Sequence, residues 1–291
     1  MGIFDVPFVW PNRDPTGDGA VKRLPLGTFS RSASDLRSFE GASNVGNGTW
    51  TVGDASNGYP VRKTGYQTLR HITSSVPTSD PNKHMEFYQW AADSQAKWVQ
   101  GTDYWGGGCI YIPSGAGWES YSGSDWNAIY QHHNEGSTSP SLVIEIRATN
   151  IALWRRASGK NDVVYVPRTL DVWHTFMWRR ITSTGADGLI VYYPSTGTSA
   201  GSETPTEVGR FTGTNLYSSG DHPYLQMGYY SYADKVPVTL YRHMPWIDRA
   251  PSMAAVQAFM FGSAPPAAAP PDAPSALTIS GSGLDLSGSL T

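Results

Sequence analysis

Gln131 and His133 stand two residues apart in the run Ile129-Tyr130-Gln131-His132-His133. Residues at that spacing in a strand share a face. An amide able to hydrogen-bond a carboxylate would then sit beside an imidazole able to take a proton. Tyr224, Gln226, Gly228 and Tyr230 repeat the spacing, with Leu225 and Met227 on the opposite face. A phenol can act as acid or base, and a glycine lets a ligand approach the backbone. Together these groups suit acid–base chemistry on a ligand that carries a carboxylate. The solvated face of an ordinary sheet would carry similar side chains, so the pattern has to be read with its surroundings.

The elements that must position these groups are strands. Gly 31 and Pro 21 punctuate a chain of 291 residues, while Trp 11 and Tyr 16 supply strand-favouring rings. From Thr49 to Met244 short apolar-patterned runs alternate with turn residues. The patterning predicts strands at Thr49–Val52, His84–Trp90, Gly108–Pro113, Asn127–His133, Ser141–Arg147, Ala152–Arg156, Trp173–Arg180, Gly188–Tyr193, Tyr224–Tyr232 and Thr239–His243. In Ser141–Arg147, Leu142, Ile144 and Ile146 read as a core face, and Val143, Glu145 and Arg147 as a wet one. Residues 1–48 read as an irregular segment suited to assembly contacts, and 49–250 as the main domain. A short helix is expected within 251–262, then an Ala/Pro linker at 263–276. The stretch 277–291 is apolar-spotted by Leu277, Ile279, Leu284, Leu286 and Leu290, too short to bury them on itself and suited to a partner's surface.

Several classes are disfavoured. Only 15% of residues are charged, the net charge is −3 and no block of Lys or Arg occurs, so no nucleic-acid partner is expected. Cys109 is the single cysteine and reads as a core strand position; no intrachain disulfide can form. His133, His174 and His222 have no ligand-like spacing, so neither a metal nor another cofactor is expected. No run is apolar for long enough to span a bilayer, and the first residues show no basic, apolar signal segment, so synthesis in a cytoplasm is expected.

Residues from about Lys83 to Ala250 resemble the jelly-roll polysaccharide lyases, the group that includes heparin lyase I, glucuronan lyase and alginate lyases. The resemblance is carried by an ordered series: His84-Met85-Glu86-Phe87-Tyr88, Tyr104-Trp105 leading to Cys109-Ile110-Tyr111-Ile112-Pro113, Gln131-His132-His133, Ser139-Pro140-Ser141-Leu142, Trp173-His174-Thr175-Phe176, Asp187-Gly188-Leu189-Ile190-Val191-Tyr192, and Tyr224-Leu225-Gln226-Met227-Gly228-Tyr229-Tyr230. It implies an all-β fold, an antiparallel two-sheet jelly-roll sandwich of the concanavalin type, with an open groove for a sugar polymer. It also implies catalytic positions at Gln131, His133, Tyr224 and Tyr230. Glu86, Tyr88, Arg147, Gln226, Gly228, Tyr232 and Trp126 are implied as substrate-binding. Eliminating across C4–C5 of a uronic acid requires neutralising the C5 carboxylate, removing the C5 proton and protonating the departing O4. The chain departs from the family pattern twice: Gln226 stands where Lys is usual, and His84 where Arg is usual.

Trp90, Trp118, Trp126 and Tyr232, in or beside polar loops, are the expected sugar platforms; Trp173, Trp178 and His132 are expected in the core. The partners expected are a polysaccharide, and other virion proteins or copies of the chain held through the N-terminal segment and 277–291. The leading expectation is a bacteriophage virion component of minor-tail type that binds, or also cleaves, host cell-surface polysaccharide. A free polysaccharide lyase and a purely structural virion part are the alternatives.

Overall fold

Alternating apolar residues on successive strands demand a partner layer, and here two antiparallel sheets supply it to each other. The computed structural model describes residues 8–10, 27–28, 41–43, 48–64, 66–73, 82–88, 98–122, 126–134, 139–197, 205–232, 237–243 and 246–261. In chain order the elements are β1 (Phe8–Trp10), β2 (Gly27–Thr28), β3 (Gly41–Ser43), β4 (Gly48–Gly53), β5 (Thr68–Thr73), β6 (Asn82–Tyr88), β7 (Asp103–Tyr111), β8 (Trp126–Asn134) and β9 (Pro140–Arg147). They continue with β10 (Asn150–Ala157), β11 (Lys160–Pro167), β12 (Trp173–Ile181), β13 (Leu189–Gly197), β14 (Gly209–Thr212), β15 (Pro223–Tyr232), β16 (Thr239–His243), β17 (Trp246–Ala250) and one helix, α1 (Met253–Phe261).

One sheet runs β11-β10-β9-β8-β15-β6-β3. The other runs β14-β13-β12-β7-β16-β5-β4-β2, with β17 pairing β7 and β1 pairing β17. Sequence neighbours such as β8, β9, β10 and β11 pair as a meander, while β15 returns to lie between β8 and β6. The ten expected strands are all present with shifted ends. Thr68–Thr73, Lys160–Pro167, Gly209–Thr212 and Trp246–Ala250 are additional. So are β1, β2 and β3, which draw the segment read as irregular into both sheets by backbone pairing. That pairing is invisible in local composition because the partners lie far along the chain.

Between the sheets lie Ile129, Tyr130, Leu142, Ile144, Ile146, Ile151, Leu153, Phe176, Trp178, Tyr192, Leu225, Met227 and Trp246, all buried. Each such side chain contributes roughly 1.5–3 kcal/mol on burial. The glycine run of β7 has a steric cause. A Cβ on Gly106 would meet the Trp178 ring at 2.5 Å, and one on Gly108 the Trp246 ring at 2.2 Å. Only glycine lets those indoles lie flat on the strand. On the opposite side of the ten-stranded sheet, α1 lays Val256 and Met260 against Cys109, Met177, Trp173 and Ile247. The helix starts at Met253, and the Ala255 N–H donates to Ser252 Oγ at 3.2 Å, so Ser252 caps it.

The layer also encloses a polar network. Arg180 Nη1 donates to His132 Nδ1 at 2.8 Å, which places the imidazole proton on Nε2, facing Asp248 Oδ2 at 3.0 Å and the Tyr130 hydroxyl at 2.8 Å. Arg180 Nη2 donates to Ser141 Oγ at 2.7 Å and to the Asn215 carbonyl at 3.2 Å. Burial holds the His132 imidazole below its ordinary range and lowers Arg180 to about 10. His132 is thus a buried, satisfied histidine, and Trp173 and Trp178 are core. The helix lies within the expected 251–262; residues 262–291 lie outside the described residues.

Candidate functional site

The site lies on the outer face of the seven-stranded sheet, and a bulge in β8 creates it. The β8–β9 register runs Ala128↔Glu145 and then Tyr130↔Ile144, so β8 has one extra residue at Ile129. Ile129 and Tyr130 both join the core. Ala128 before the bulge and Gln131 and His133 after it therefore share the outer face. Arg242, reaching across from β16, donates through Nη2 to the carbonyls of Ile129, at 2.7 Å, and of Gly228. A buried guanidinium from one sheet thus serves two backbone acceptors where β8 and β15 fall out of register.

The β8–β15 register sets Tyr224 opposite His133, Gln226 opposite Gln131 and Tyr230 opposite Ala128. The His133 and Tyr224 rings lie 5.5 Å apart, and Gln226 Nε2 donates to the Tyr224 hydroxyl at 3.4 Å. His133 Nδ1 contacts the Asn134 carbonyl at 3.4 Å, the geometry of a proton on Nδ1. Gln131 and Tyr224 are buried; His133, Gln226 and Tyr230 keep partial access to solvent. Tyr230 stands one bulge away from the His133–Tyr224 pair, edge-to-face with Trp126 at 5.2 Å. Sequence spacing therefore assembles Gln131, His133, Tyr224 and Gln226 as one group and puts Tyr230 and Trp126 in a neighbouring one.

Further out, β9 and β10 contribute a set that sequence reading identified only in Arg147. Glu145 Oε2 accepts from Arg147 Nη2 at 2.8 Å, Arg147 Nε at 3.2 Å and Trp154 Nε1 at 2.8 Å, while its Oε1 accepts from Arg156 Nη2 at 2.9 Å. Both guanidiniums lie over the Trp154 ring, Arg156 at 4.7 Å and Arg147 at 5.4 Å. The face of β9 expected to be wet is largely closed. Val143 and Glu145 are buried and only Arg147 keeps access, because these long side chains and Trp154 lie over the short ones. The signal existed in the sequence as Glu145-x-Arg147 and Trp154-x-Arg156, two same-face pairs on strands joined by a tight turn. It takes the hairpin register, Ala152↔Glu145 and Trp154↔Val143, to bring them together.

The remaining expected site residues fall differently. The β6 register sets Tyr88 opposite Gln226 and Glu86 opposite Gly228, but their side chains, like that of Tyr232, lie outside the described residues, as does Trp90 altogether. Trp118 is no platform: it is fully buried, and its Nε1–H donates to the Thr239 carbonyl at 2.6 Å. His174 contacts the Thr169 carbonyl at 2.7 Å, and His222 lies 3.5 Å from the Trp98 carbonyl, so each of these rings meets a backbone acceptor of its own. Among the described residues no group of three His, Cys, Asp or Glu side chains is placed to hold a metal, and no helix is long and apolar enough to cross a membrane.

The fold can be compared with solved structures. It is similar to the endo-β-1,4-glucuronan lyase of the fungus Trichoderma reesei, with a TM-score of 0.56 at 11% identity, covering 81% of this chain and 98% of that one. The likeness is one of fold. The alginate lyase of Aplysia kurodai aligns at TM-score 0.48 and 11% identity, over 78% of this chain and 98% of that one. The binding domain of Paraclostridial Mosquitocidal Protein 1 aligns at TM-score 0.48 and 9% identity, over 89% of this chain and 52% of that one. No protein-family model and no curated protein sequence matches the chain.

Proposed function

We propose that the outer face of the seven-stranded sheet binds a polysaccharide, and that the chain does so as a bacteriophage virion component of minor-tail type. The pairing of Gln131–Gln226 with His133–Tyr224 across β8 and β15 carries this reading. It lines up two amides, an imidazole and a phenol, partners for sugar hydroxyls and ring faces, beside the aromatic pair Trp126–Tyr230. The likeness in fold to a glucuronan lyase supports a polysaccharide as the ligand. The virion setting rests on the sequence: an Ala/Pro linker at 263–276, an aliphatic stretch at 277–291 suited to another chain's sheet edge, and no pair of cysteines.

The second reading is cleavage by β-elimination. His133 would take the C5 proton, Gln131 would hydrogen-bond the carboxylate, the O4–C4 bond would break as the C4=C5 double bond forms, and the Tyr224 hydroxyl would give its proton to the departing O4. One observation sets binding ahead of cleavage. The residue opposite Gln131 is Gln226, so among the described residues the carboxylate would meet two neutral amides.

Immobilised host-type polysaccharides test the first reading: the protein is retained, and His133→Ala and Tyr224→Ala variants are not. Rising ultraviolet absorbance from unsaturated product on uronate polymers, abolished in His133→Ala, would establish the second. General acid–base groups contribute ~10²–10⁴-fold, so residual turnover should be near background. Retention on no glycan, with normal incorporation into a particle, would favour the structural alternative.

A further inference from the structure

The cations on the described part of this face are displaced from its centre, and the displacement has a consequence for the ligand. Trp154 lies in the cross-strand row Gln131–Val143–Trp154, two strand spacings or ~10 Å from Gln131. That is the length of a disaccharide. Glu145 is 2% exposed, whereas Arg147 and Arg156 are 23% and 28% exposed. The buried carboxylate and the Trp154 ring hold both guanidiniums in place. Among the described residues, Nη1 of each arginine meets no acceptor. Two cations share one anion, so the cluster carries a net positive charge at the edge of solvent. Tyr165, 50% exposed, stands one strand further out opposite Ala152, in reach of a sugar ring bound there.

We infer that Arg147 and Arg156 form a clamp for a carboxylate on a sugar about one disaccharide away from the unit at Gln131, and that the unit at Gln131 is itself uncharged. This rests on the reading of the outer face as a polysaccharide site and narrows it to a polymer with intermittent acidic units. The physical reason is complementarity. On the described part of the face the register sets Gln226 opposite Gln131, with Tyr224 and His133 in the neighbouring row, and these groups serve hydroxyls and amides. Two pre-fixed guanidiniums with spare N–H donors serve a planar anion, at little ordering cost.

Three polymers test the inference on the full chain: deacylated gellan, with a carboxylate on every fourth sugar, so that the unit one disaccharide away from it is neutral; polyglucuronate, with one on every sugar; and neutral dextran. Gellan is expected to bind most tightly, and its affinity should fall as salt rises. The Arg147→Gln/Arg156→Gln double variant should weaken gellan binding by about tenfold or more. It leaves Glu145 buried without its cations, so the triple variant with Glu145→Gln provides the control: it carries no buried charge, should keep the wild-type melting temperature, and should lose the same binding. Dextran binding equal to that of gellan, polyglucuronate binding tighter than gellan, salt-insensitive gellan binding, or a triple variant that binds like the wild type each overturns the clamp. In those cases His133→Ala still abolishes retention if the outer face is the site. Retention of none of the three polymers overturns the clamp and the outer-face reading together.

Discussion

His132 and His133 are adjacent in β8 and point to opposite sides of one sheet, into two different uses of the same chemistry. His132 enters the sealed layer, where Arg180, Asp248 and Tyr130 occupy its two ring nitrogens and Arg180 also bonds Ser141. His133 faces outward beside Tyr224, on the side where Arg147 and Arg156 surround Glu145 and still keep access to solvent. Both sides hold arginine and a carboxylate, joined through the His132 ring in the sealed layer and directly on the outer face. In the sealed layer the groups around His132 bond to one another and serve the fold, and the donors left over there, such as Arg180 Nε, are out of a ligand's reach. On the outer face the donors left over on Arg147 and Arg156 are within reach of solvent, and those are what a ligand can use.

Removing a partner from each side separates the two roles. Asp248→Ala should cost about 3–5 kcal/mol in urea unfolding, because Arg180 then stays buried without its counter-charge. An Asp248→Asn/Arg180→Met pair, which leaves no such charge, should recover most of it. A small loss for Asp248→Ala alone would mean that water reaches the layer. Arg242→Met tests the link between the sides. It orphans the Ile129 and Gly228 carbonyls, at about 1–3 kcal/mol each. It should also weaken glycan retention, since those acceptors sit at the β8–β15 irregularity.

The pH dependence sharpens the contrast further. Burial lowers His243 to about 3, and its ring contacts the Met260 carbonyl at 3.0 Å. His71, His132 and His174 are lowered for the same first reason, desolvation. The unfolded chain binds these protons and the folded one does not, so their contribution is complete above pH ~6.5 and is lost as pH falls toward 3. The melting temperature should drop across that window, and His243→Gln should flatten part of the drop. Unchanged stability between pH 6.5 and 4 would contradict neutral buried histidines. The smallest effect is expected at the outer face itself. His133→Ala should shift stability by no more than about 0.5 kcal/mol while glycan retention disappears. A stability loss as large as that of Asp248→Ala would make His133 a structural residue.

Much of the sandwich was legible because its signals are local. Leu142, Ile144 and Ile146 alternate at the strand period, and Asp187-Gly188 marks a turn on any reading of the chain. The shared face of Gln131 with His133 and of Tyr224 with Gln226 was legible for the same reason. Trp118 was misread because a polar neighbourhood in sequence says nothing about the Thr239 carbonyl that its indole reaches from across the fold. Val143 and Glu145 were misread because a strand's second face is wet only where no larger side chain lies over it.

By itself the sequence determined the alternation of faces along each strand, since side-chain direction follows from backbone geometry at a period of two. Tertiary structure alone decided which strands lie side by side, and so which chemistry meets. Tyr224 faces His133 because β15 returns to pair with β8, and Arg156 meets Arg147 on Glu145 because the β9–β10 hairpin closes in one register. Those contacts depend on long-range pairing and a one-residue bulge, and a shift of one residue would turn every one of these side chains to the other face.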